Sequence, residues 1–349
     1  MNAVDLSKLE PYLEDPDVTD VMINGMEAAY VTRNGELQAV DIQFADENEI
    51  VTLIQRIVNA ADRTIDAQNP IVDVRLPDGS RVNAVLRPVA LTGPTLTISK
   101  FHRMNLTWEQ LVEFGSLSPK LLVFLKACVS ARLNMVIAGD TNAGKTTVLN
   151  AMGAFFNPDE RVITAETNAE INLDHQHVIA LEAQPAAPGG DPAIPMTALV
   201  RNARRMRAQR IITGEVEDGG AAWEMLQAMS LGYEGSMFTI HASSPQDVID
   251  RLELMITAAP GLPLLQIRAR IAQGIDLITQ QTYMEDRRRR IVSVAAVTGL
   301  KNNLVELQEV FRFVITEQNE DRLVGEFRTT GYIPPFADQL DLPQSFFAG

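Results

Sequence analysis

The chain has 349 residues, of which 46% are hydrophobic and 21% are charged, an ordinary composition for a globular protein. This length suggests about two domains, each able to bury an apolar core. The formal net charge of −15 argues against a role that depends on nucleic acid, because duplex affinity comes from Lys and Arg side chains that neutralise phosphates. We therefore expect no nucleic-acid partner.

The sequence contains no recognisable targeting or membrane-spanning segment. Residues 1–5 lack the basic start of a signal peptide, and no run approaches the roughly 18 apolar residues that span a bilayer. The single cysteine, Cys128, lies in an apolar stretch and has no partner for an internal disulfide. These features predict a cytoplasmic protein in which Cys128 is a buried structural thiol.

Residues 1–105 are typical of a small α+β domain. Strand-like stretches turn at Asn34-Gly35 and at residues 77–80, which indicates two β-hairpins. Between these hairpins, apolar residues in the segment 50–58 recur at helical spacing. The economical interpretation is a helix that lies on an antiparallel sheet.

Residues 119–349 show a different pattern, in which short apolar strands alternate with helices, and residues 106–118 are interpreted as a linker. Such alternation predicts a largely parallel sheet covered by helices, with ligands at the carboxyl ends of the strands. A Pro- and Gly-rich stretch, residues 184–192, indicates a surface loop. The predicted strands are residues 133–138, 161–164, 177–181, 210–213 and 236–240.

The octapeptide Gly139–Thr146 fits the phosphate-loop pattern G-x-x-x-x-G-K-[ST] between a predicted strand and a predicted helix. In this arrangement backbone N–H groups wrap a polyphosphate that faces the positive end of the helix dipole. An ordinary glycine turn is much less favoured in this context. Lys145 would contact the β and γ phosphates, and the Thr146 hydroxyl would help to hold Mg²⁺. The predicted ATP-binding residues are Gly139, Thr141, Asn142, Ala143, Gly144, Lys145, Thr146 and Thr147.

Polar side chains follow the other predicted core strands. Glu166 and Glu170 come after the second strand, Glu215 ends a later one, and His241 follows the strand after that. A carboxylate at Glu215 can hold Mg²⁺ or orient water, and His241 can sense the γ phosphate. Any one of these could be a solvated strand end. Four in order within a phosphate-loop domain favour a site for ATP hydrolysis, with Thr146, Glu166 and Glu215 near the metal.

With its further motifs, the chain resembles the motor ATPases of type II, type IV and Tad/Flp secretion and pilus systems, in particular the CpaF-like motors of Tad/Flp pili. The resemblance extends from about Leu9 to the end of the sequence. It implies a RecA-like P-loop ATPase domain, with a mostly parallel sheet and flanking helices, after a smaller α+β domain. The motifs are the phosphate loop and residues 76–84, 199–203, 205–207, 211–216, 225–229, 235–237, 239–245 and 250–253.

The resemblance also implies roles for individual residues. Glu170 matches the general base that closes the family's acidic box, Glu215 its Walker B glutamate, and His241 its histidine-box residue. Arginines of the family approach the nucleotide phosphates within or across subunits. By this resemblance the nucleotide-binding set gains Arg75, Arg81, Arg205 and Arg207.

The family further implies a homohexameric ring that holds ATP between the two domains and acts on an inner-membrane platform protein. A pilin or secreted substrate would be moved indirectly, and the ring would associate with the membrane through its partners. Family members often carry an N-terminal extension, whereas this sequence starts almost at the two-domain unit. We therefore expect no docking through such an extension.

Three positions depart from the family pattern. Thr167 replaces the aspartate of the acidic box, Ser99 stands where the family often has arginine, and Glu217 replaces another arginine. Each change removes a charge that could bind metal or phosphate, so slow turnover is expected. An active motor remains the leading hypothesis, with a non-hydrolysing assembly subunit second and a DNA translocase third.

Three smaller features have ordinary interpretations. Residues 286–290, Asp-Arg-Arg-Arg-Arg, are interpreted as the solvated tip of a hairpin, with contact to a subunit or to anionic lipid as the alternative. His175 and His177 have metal-like spacing but no third ligand nearby in the sequence, so zinc is not expected. Met225 and Met229, one helical turn apart, are predicted to lie in the core.

Overall fold

The structure, a computed structural model, describes residues 6–33, 36–100, 106–186, 192–258, 261–319 and 322–348. The chain forms two compact units, Met1–Met104 and Asn105–Gly349. None of the helices in the described ranges combines the length and apolar character that a bilayer crossing requires.

In its described residues the first unit contains a six-stranded antiparallel sheet with helices α1 and α2. The elements are α1 (Glu10–Leu13), β1 (Val18–Asn24), β2 (Ala28–Arg33), β3 (Glu36–Val40), α2 (Glu47–Asn59), β4 (Ile71–Arg75), β5 (Arg81–Val85) and β6 (Thr95–Ser99). The strand order is β3-β2-β1-β6-β5-β4. The predicted hairpin of β4 and β5 is confirmed, with Arg75 opposite Arg81. Strands β2 and β3 also pair, and the predicted Asn34-Gly35 turn lies outside the described residues.

Helix α2 covers this sheet as its sequence pattern predicts. Asp46 caps the helix by accepting a hydrogen bond from the Glu49 backbone N–H at 2.9 Å. The helix buries Ile50, Ile54 and its other apolar residues in the same core as the inward side chains of the strands. Burial of this apolar stripe provides most of the stability of such a helix.

The second unit is built on a nine-stranded sheet. Its helices are α3 (Trp108–Glu113), α4 (Pro119–Ser130), α5 (Lys145–Met152), α6 (Met196–Ala203), α7 (Gly219–Ser230), α8 (Pro245–Thr257) and α9 (Leu264–Gly274). Its strands are β7 (Met135–Gly139), β8 (Val162–Glu166), β9 (Val178–Glu182), β10 (Arg210–Glu215), β11 (Met237–His241), β12 (Leu277–Tyr283), β13 (Arg289–Lys301), β14 (Leu304–Asn319) and β15 (Arg322–Thr329).

The sheet order is β15-β14-β13-β12-β7-β11-β10-β8-β9. Pairing is parallel from β12 to β9 and antiparallel from β12 to β15. Of the three antiparallel pairs, the sequence predicts only the hairpin of β12 and β13. The predicted α/β architecture, a mostly parallel sheet with flanking helices after a smaller α+β unit, is confirmed.

Both faces of the parallel sheet are covered. Along β7, Met135 and Ile137 pack into the core that contains α3, α4 and α5, whereas Val136 and Ala138 pack into the core that contains α6 to α9. A strand buried on both faces has no polar alternation, which explains the continuous apolar runs of these strands. Because β7 pairs in parallel with β11 and β12, the carboxyl ends of these strands lie at the same edge of the sheet.

The segment that the sequence suggests as a linker, 106–118, contributes to the second unit. Helix α3 begins with a capping box formed by Thr107 and Gln110. Trp108 is buried, donates its indole N–H to the Ala151 carbonyl at 2.7 Å and stacks on Phe155. A helix of six residues is too short to show a clear sequence period, so its packing was not predicted.

Several smaller predictions are tested by the structure. Cys128 is buried, and this burial raises the pKa of its thiol well above the usual value, which confirms a structural thiol. Met225 and Met229 lie in the core as predicted. The His175 Nε2 atom lies 2.6 Å from the Glu160 carbonyl oxygen, and the His177 Nε2 atom lies 2.8 Å from Arg161 Nη1.

A buried ionic cluster organises the amino-terminal edge of the parallel sheet. Arg210, the first residue of β10, is 1% exposed and donates to the Val129 carbonyl at 2.9 Å and to the Gly235 carbonyl at 3.1 Å. Its charge is balanced by the buried Glu160 carboxylate, which also pairs with Arg132. The cluster thus joins β10 to α4 and to the segment before β11.

We expect Glu160→Ala to lower the free energy of unfolding of the second unit by about 3–5 kcal/mol, because it leaves the buried Arg210 without its counter-charge. Urea unfolding measures the change. The matched control is Glu326→Ala, which removes an exposed pair with Arg328 and should cost less than about 1 kcal/mol. Equal losses in the two variants would contradict the assignment.

Candidate nucleotide-binding site

The phosphate loop connects β7 to α5 and has the backbone geometry that its sequence predicts. Asn142 and Gly144 have φ values of +63° and +92°, and this left-handed region suits glycine and, less often, asparagine. A Cβ atom on Gly139 would come within 2.6 Å of the Gln281 carbonyl oxygen on the neighbouring strand. The loop leads directly into α5, which begins at Lys145. It thus lies before the positive end of the helix dipole, as anion binding requires.

A cavity of about 890 Å³ opens beside this loop. Its volume lies within the range of small-molecule and cofactor sites. On one side it is bordered by residues 141–147, which comprise most of the loop and the first turn of α5. The other lining residues include Leu111 and Phe114 near α3, the carboxylates Glu170 and Glu215, and Gln281 with residues 287–291 of the β12–β13 hairpin.

Lys145 lies where its charge can meet a phosphate. The side chain is 7% exposed, and its Nζ atom donates to the carbonyls of Gly139 at 3.2 Å and Asp140 at 3.1 Å. The same Nζ atom lies 3.3 Å from Oε2 of Glu215, at the end of β10. The predicted lysine and the predicted Walker B glutamate thus lie together at the cavity.

Glu166 has a structural position that the sequence does not predict. Its carboxylate is 2% exposed and accepts hydrogen bonds from the backbone N–H groups of Glu170 at 3.0 Å and Ile171 at 2.9 Å. The residue does not border the cavity, and its role near the metal remains a prediction. Because its carboxylate oxygens accept from these two amides, Glu166 holds the backbone of the following loop in place.

Two further side chains hold the same loop. The Glu182 carboxylate accepts from the Ala169 N–H at 2.8 Å, and the Asn150 side-chain oxygen accepts from the Asn172 N–H at 2.9 Å. Between these anchors Glu170 is exposed and borders the cavity. Its carboxylate makes no hydrogen bond or ion pair with any residue that the structure describes. The acid predicted as general base is therefore held through its backbone and keeps its side chain available.

His241 ends β11, which pairs directly with β7 so that His241 lies opposite Gly139. Its Nε2 atom is 3.8 Å from the Asp140 carboxylate, and the side chain is 40% exposed. His241 does not border the cavity itself. It contacts the phosphate loop from the side, where it can respond to a change in the loop.

The predicted nucleotide-binding arginines lie elsewhere in the chain. Arg205 and Arg207 precede the amino end of β10, at the edge of the sheet opposite to the phosphate loop. Arg75 and Arg81 belong to the first unit, where Arg75 donates to the Gly79 carbonyl at 3.1 Å and Arg81 pairs with Asp73 at 3.2 Å. Arg205 and Arg207 do not border the cavity of the second unit, and the roles of all four arginines remain predictions.

The arginine run between β12 and β13 contradicts the prediction of a solvated tip in two of its residues. Asp286 and Arg290 form a bidentate pair at 2.8 and 2.6 Å, with side chains only 3% and 4% exposed. This hydrogen bonding from Arg290 lowers the pKa of Asp286. Arg289 is exposed but donates its Nε–H to the Asn142 carbonyl of the phosphate loop at 2.7 Å. Only strand register could have revealed this contact, because Gln281 of β12 lies opposite Gly139.

The donor set at the cavity fits a magnesium ion that arrives with a phosphate ligand. Thr146 and Glu215 both border the cavity, and both carry side-chain oxygen atoms. Mg²⁺ is commonly bound by one or two protein oxygens together with phosphates and waters. A group of three or more His, Cys, Asp or Glu side chains that could hold a metal alone is absent from the described part of the chain.

Comparison with known proteins places the chain in a family. Residues 2–308 match the type II/IV secretion system protein family. The chain belongs to this family. It is similar to a putative conjugal transfer protein of Mycobacterium tuberculosis, with 33% identity over 83% of each chain. It is also similar to the type IV secretion system protein PtlH of Bordetella pertussis, with 30% identity over 84% of this chain and 95% of PtlH.

The fold is similar to that of a solved structure. The X-ray structure of the Legionella pneumophila ATPase DotB superposes with a TM-score of 0.58 and 21% identity, covering 83% of this chain and 79% of DotB. This likeness confirms the RecA-like fold predicted from the sequence. By its phosphate-loop site, fold and family, the chain is an ATPase.

We expect Glu166→Ala to release the loop that carries Glu170. Removal of its carboxylate leaves the amides of Glu170 and Ile171 without acceptors, so their hydrogen exchange should accelerate by about tenfold or more. Exchange measured by mass spectrometry or NMR tests this. Glu182→Ala is the control, because this carboxylate accepts from the Ala169 amide, whereas the amides of residues 170 and 171 donate to Glu166. Unchanged protection at residues 170 and 171 would refute the structural role of Glu166.

Proposed function

We propose that the protein is a hexameric motor ATPase that hydrolyses ATP to ADP and phosphate to drive pilus assembly or protein secretion. The observation that carries the proposal is the convergence of Lys145, Glu215 and Glu170 on one cavity beside the phosphate loop. Each group has a separate task in phosphoryl transfer, which depends on positioning and charge stabilisation. Family membership supports the same reaction.

The phosphate chain is bound by the loop and Lys145. Backbone N–H groups at the start of α5 and the Lys145 ammonium supply the positive charge that a triphosphate needs. Thr146 and Glu215 would hold Mg²⁺, which neutralises phosphate oxygens when it is bound. Lys145 already contacts two loop carbonyls and Glu215, so it exchanges these partners for phosphate oxygens on binding.

Glu170 activates the attacking water. Its carboxylate borders the cavity without a partner among the described residues, and its backbone is fixed by Glu166. A fixed and unpaired carboxylate can orient water or accept its proton. His241 lies beside Asp140 of the phosphate loop, where it relays occupancy of the site to β11.

Completion of the site requires further positive charge from an adjacent subunit. Arg205 and Arg207 do not border the cavity, so we assign them to contacts across the subunit interface, whereas Arg75 and Arg81 of the first unit approach the phosphates within or across subunits. A head-to-tail interface that closes on itself makes a ring, and it can deliver an arginine from one subunit to the next. In this proposal ATP is held between the two domains, and rotation of one domain against the other is the working stroke.

The ring would act on an inner-membrane platform protein, through which it associates with the membrane. The substrate would then be a pilin or a secreted protein that the ATPase moves indirectly. Relatives named for conjugal transfer and type IV secretion support a transport role. The motif resemblance described above favours a CpaF-like motor of a Tad/Flp pilus within this range.

We expect Lys145→Ala to abolish ATP binding or turnover, because it removes the cation of the loop, and Glu170→Gln to bind ATP without hydrolysing it. A phosphate-release assay with malachite green and a parallel ATP-binding measurement separate the two effects. Full hydrolysis by Glu170→Gln would refute the base assignment. A wild-type rate no higher than that of Lys145→Ala would instead favour a non-hydrolysing assembly subunit.

We expect the purified protein to form hexamers whose population rises with a slowly hydrolysed ATP analogue, since ATP would lie at a subunit boundary. Size-exclusion chromatography with light scattering measures the mass with and without the analogue. A monomer under both conditions, at concentrations where ATP is hydrolysed, would contradict the ring mechanism.

A further inference from the structure

The β12–β13 hairpin places an arginine against the phosphate loop of its own chain. Arg289 donates its Nε–H to the Asn142 carbonyl at 2.7 Å, and its Cδ atom lies 3.2 Å from the position that a Cβ on Gly144 would occupy. The guanidinium also lies over the Tyr283 ring, 5.2 Å from its centroid. Of its donor groups, only the Nε–H is hydrogen-bonded to a residue that the structure describes, so the terminal amino groups remain for an anion.

A second group of the hairpin lies at the same cavity and lacks a partner. Gln281 is 2% exposed and borders the cavity, yet neither its Nε2 nor its Oε1 atom has a hydrogen-bond partner among the described residues. Buried side-chain amides are almost always paired, because an unpaired one retains its full desolvation cost. An orphaned amide beside a phosphate loop therefore indicates a ligand.

The hairpin is fixed in this position by its own contacts. The buried pair of Asp286 and Arg290 closes the turn, and Arg290 also lies over the Phe313 ring. The register of β12 with β7 sets Gln281 directly opposite Gly139 at the start of the loop. A positioned cation and a positioned amide cost little reorganisation when a ligand binds.

We propose that the β12–β13 hairpin contributes the Arg289 guanidinium and the Gln281 amide to the phosphate-binding site of the same chain. The ligand is the polyphosphate of a nucleoside di- or triphosphate, so the inference rests on the proposed function. Arg289 supplements Lys145 with a second cation, and its planar fork suits phosphate oxygens. The Gln281 Nε2 group donates to an oxygen of the same ligand.

Arg289→Ala should weaken ATP and ADP binding by about tenfold, because it removes a charge-assisted contact. Arg289→Lys should restore part of the loss, since it keeps the charge without the fork. A fluorescent nucleotide titration of the 349-residue chain measures the affinities. Arg328→Ala removes an equally charged, exposed residue of β15 outside the cavity lining and should change affinity by no more than about twofold.

Gln281→Met separates a binding role from a structural one. Replacement of an unpaired buried amide by an apolar group of similar volume should raise the melting temperature of the nucleotide-free protein. The same change should weaken ATP binding about threefold to tenfold, because the ligand loses a hydrogen bond. A lowered melting temperature would assign Gln281 to the fold and overturn its part of the proposal.

The outcomes distinguish this inference from the proposed function. If the wild type binds ATP but Arg289→Ala and Gln281→Met bind it equally well, the hairpin proposal fails and the ATPase proposal stands. If the wild type itself binds neither ATP nor ADP, the proposed function fails first. Equal weakening by Arg289→Ala and Arg328→Ala would attribute the effect to net charge and would also overturn the hairpin proposal.

Discussion

Parallel pairing of β7 with β11 on one side and β12 on the other is the constraint on which the site depends. The register brings His241, Gly139 and Gln281 side by side at the carboxyl edge of the sheet. Because the Gln281 carbonyl leaves no room for a side chain at residue 139, the loop must begin with glycine. The backbone then turns into α5 with its amides exposed at the helix amino end. Sheet pairing, rather than the loop sequence alone, thus determines what surrounds the phosphate site.

Buried carboxylates at the two edges of the sheet have comparable structural roles. At the amino edge Glu160 balances Arg210, and at the carboxyl edge Glu166 accepts from two backbone amides of the following loop. A buried acid is tolerated only when such partners replace water. This use of Glu166 leaves Glu170 as the acid that faces the cavity. Of the two glutamates in this short motif, the buried Glu166 supports the backbone and the exposed Glu170 is the one available for the proposed chemistry.

The sequence predicts the parts of this molecule that local signals specify. The phosphate loop, the helix at residues 50–58 and the core strands all follow from spacing and from glycine positions. The buried position of Glu166 cannot be read from the sequence. It depends on the backbone amides of the following loop, which fold back toward the end of β8. The contact of Arg289 with Asn142 also requires strand register, which a charge run alone does not encode. Helix α3 is missed because six residues are too few to show a period.

The placement of the cations suggests a division between binding and hydrolysis. Lys145 and Arg289 both contact the phosphate loop of their own chain, so a single subunit already places two cations beside the proposed nucleotide site. In the proposed mechanism, further arginines come from a neighbouring subunit and act when the ring is assembled. Affinity then belongs to the subunit and turnover to the assembly. Under the proposed mechanism free subunits would be loaded but inactive, because stabilisation of the transition state would require charge from the interface.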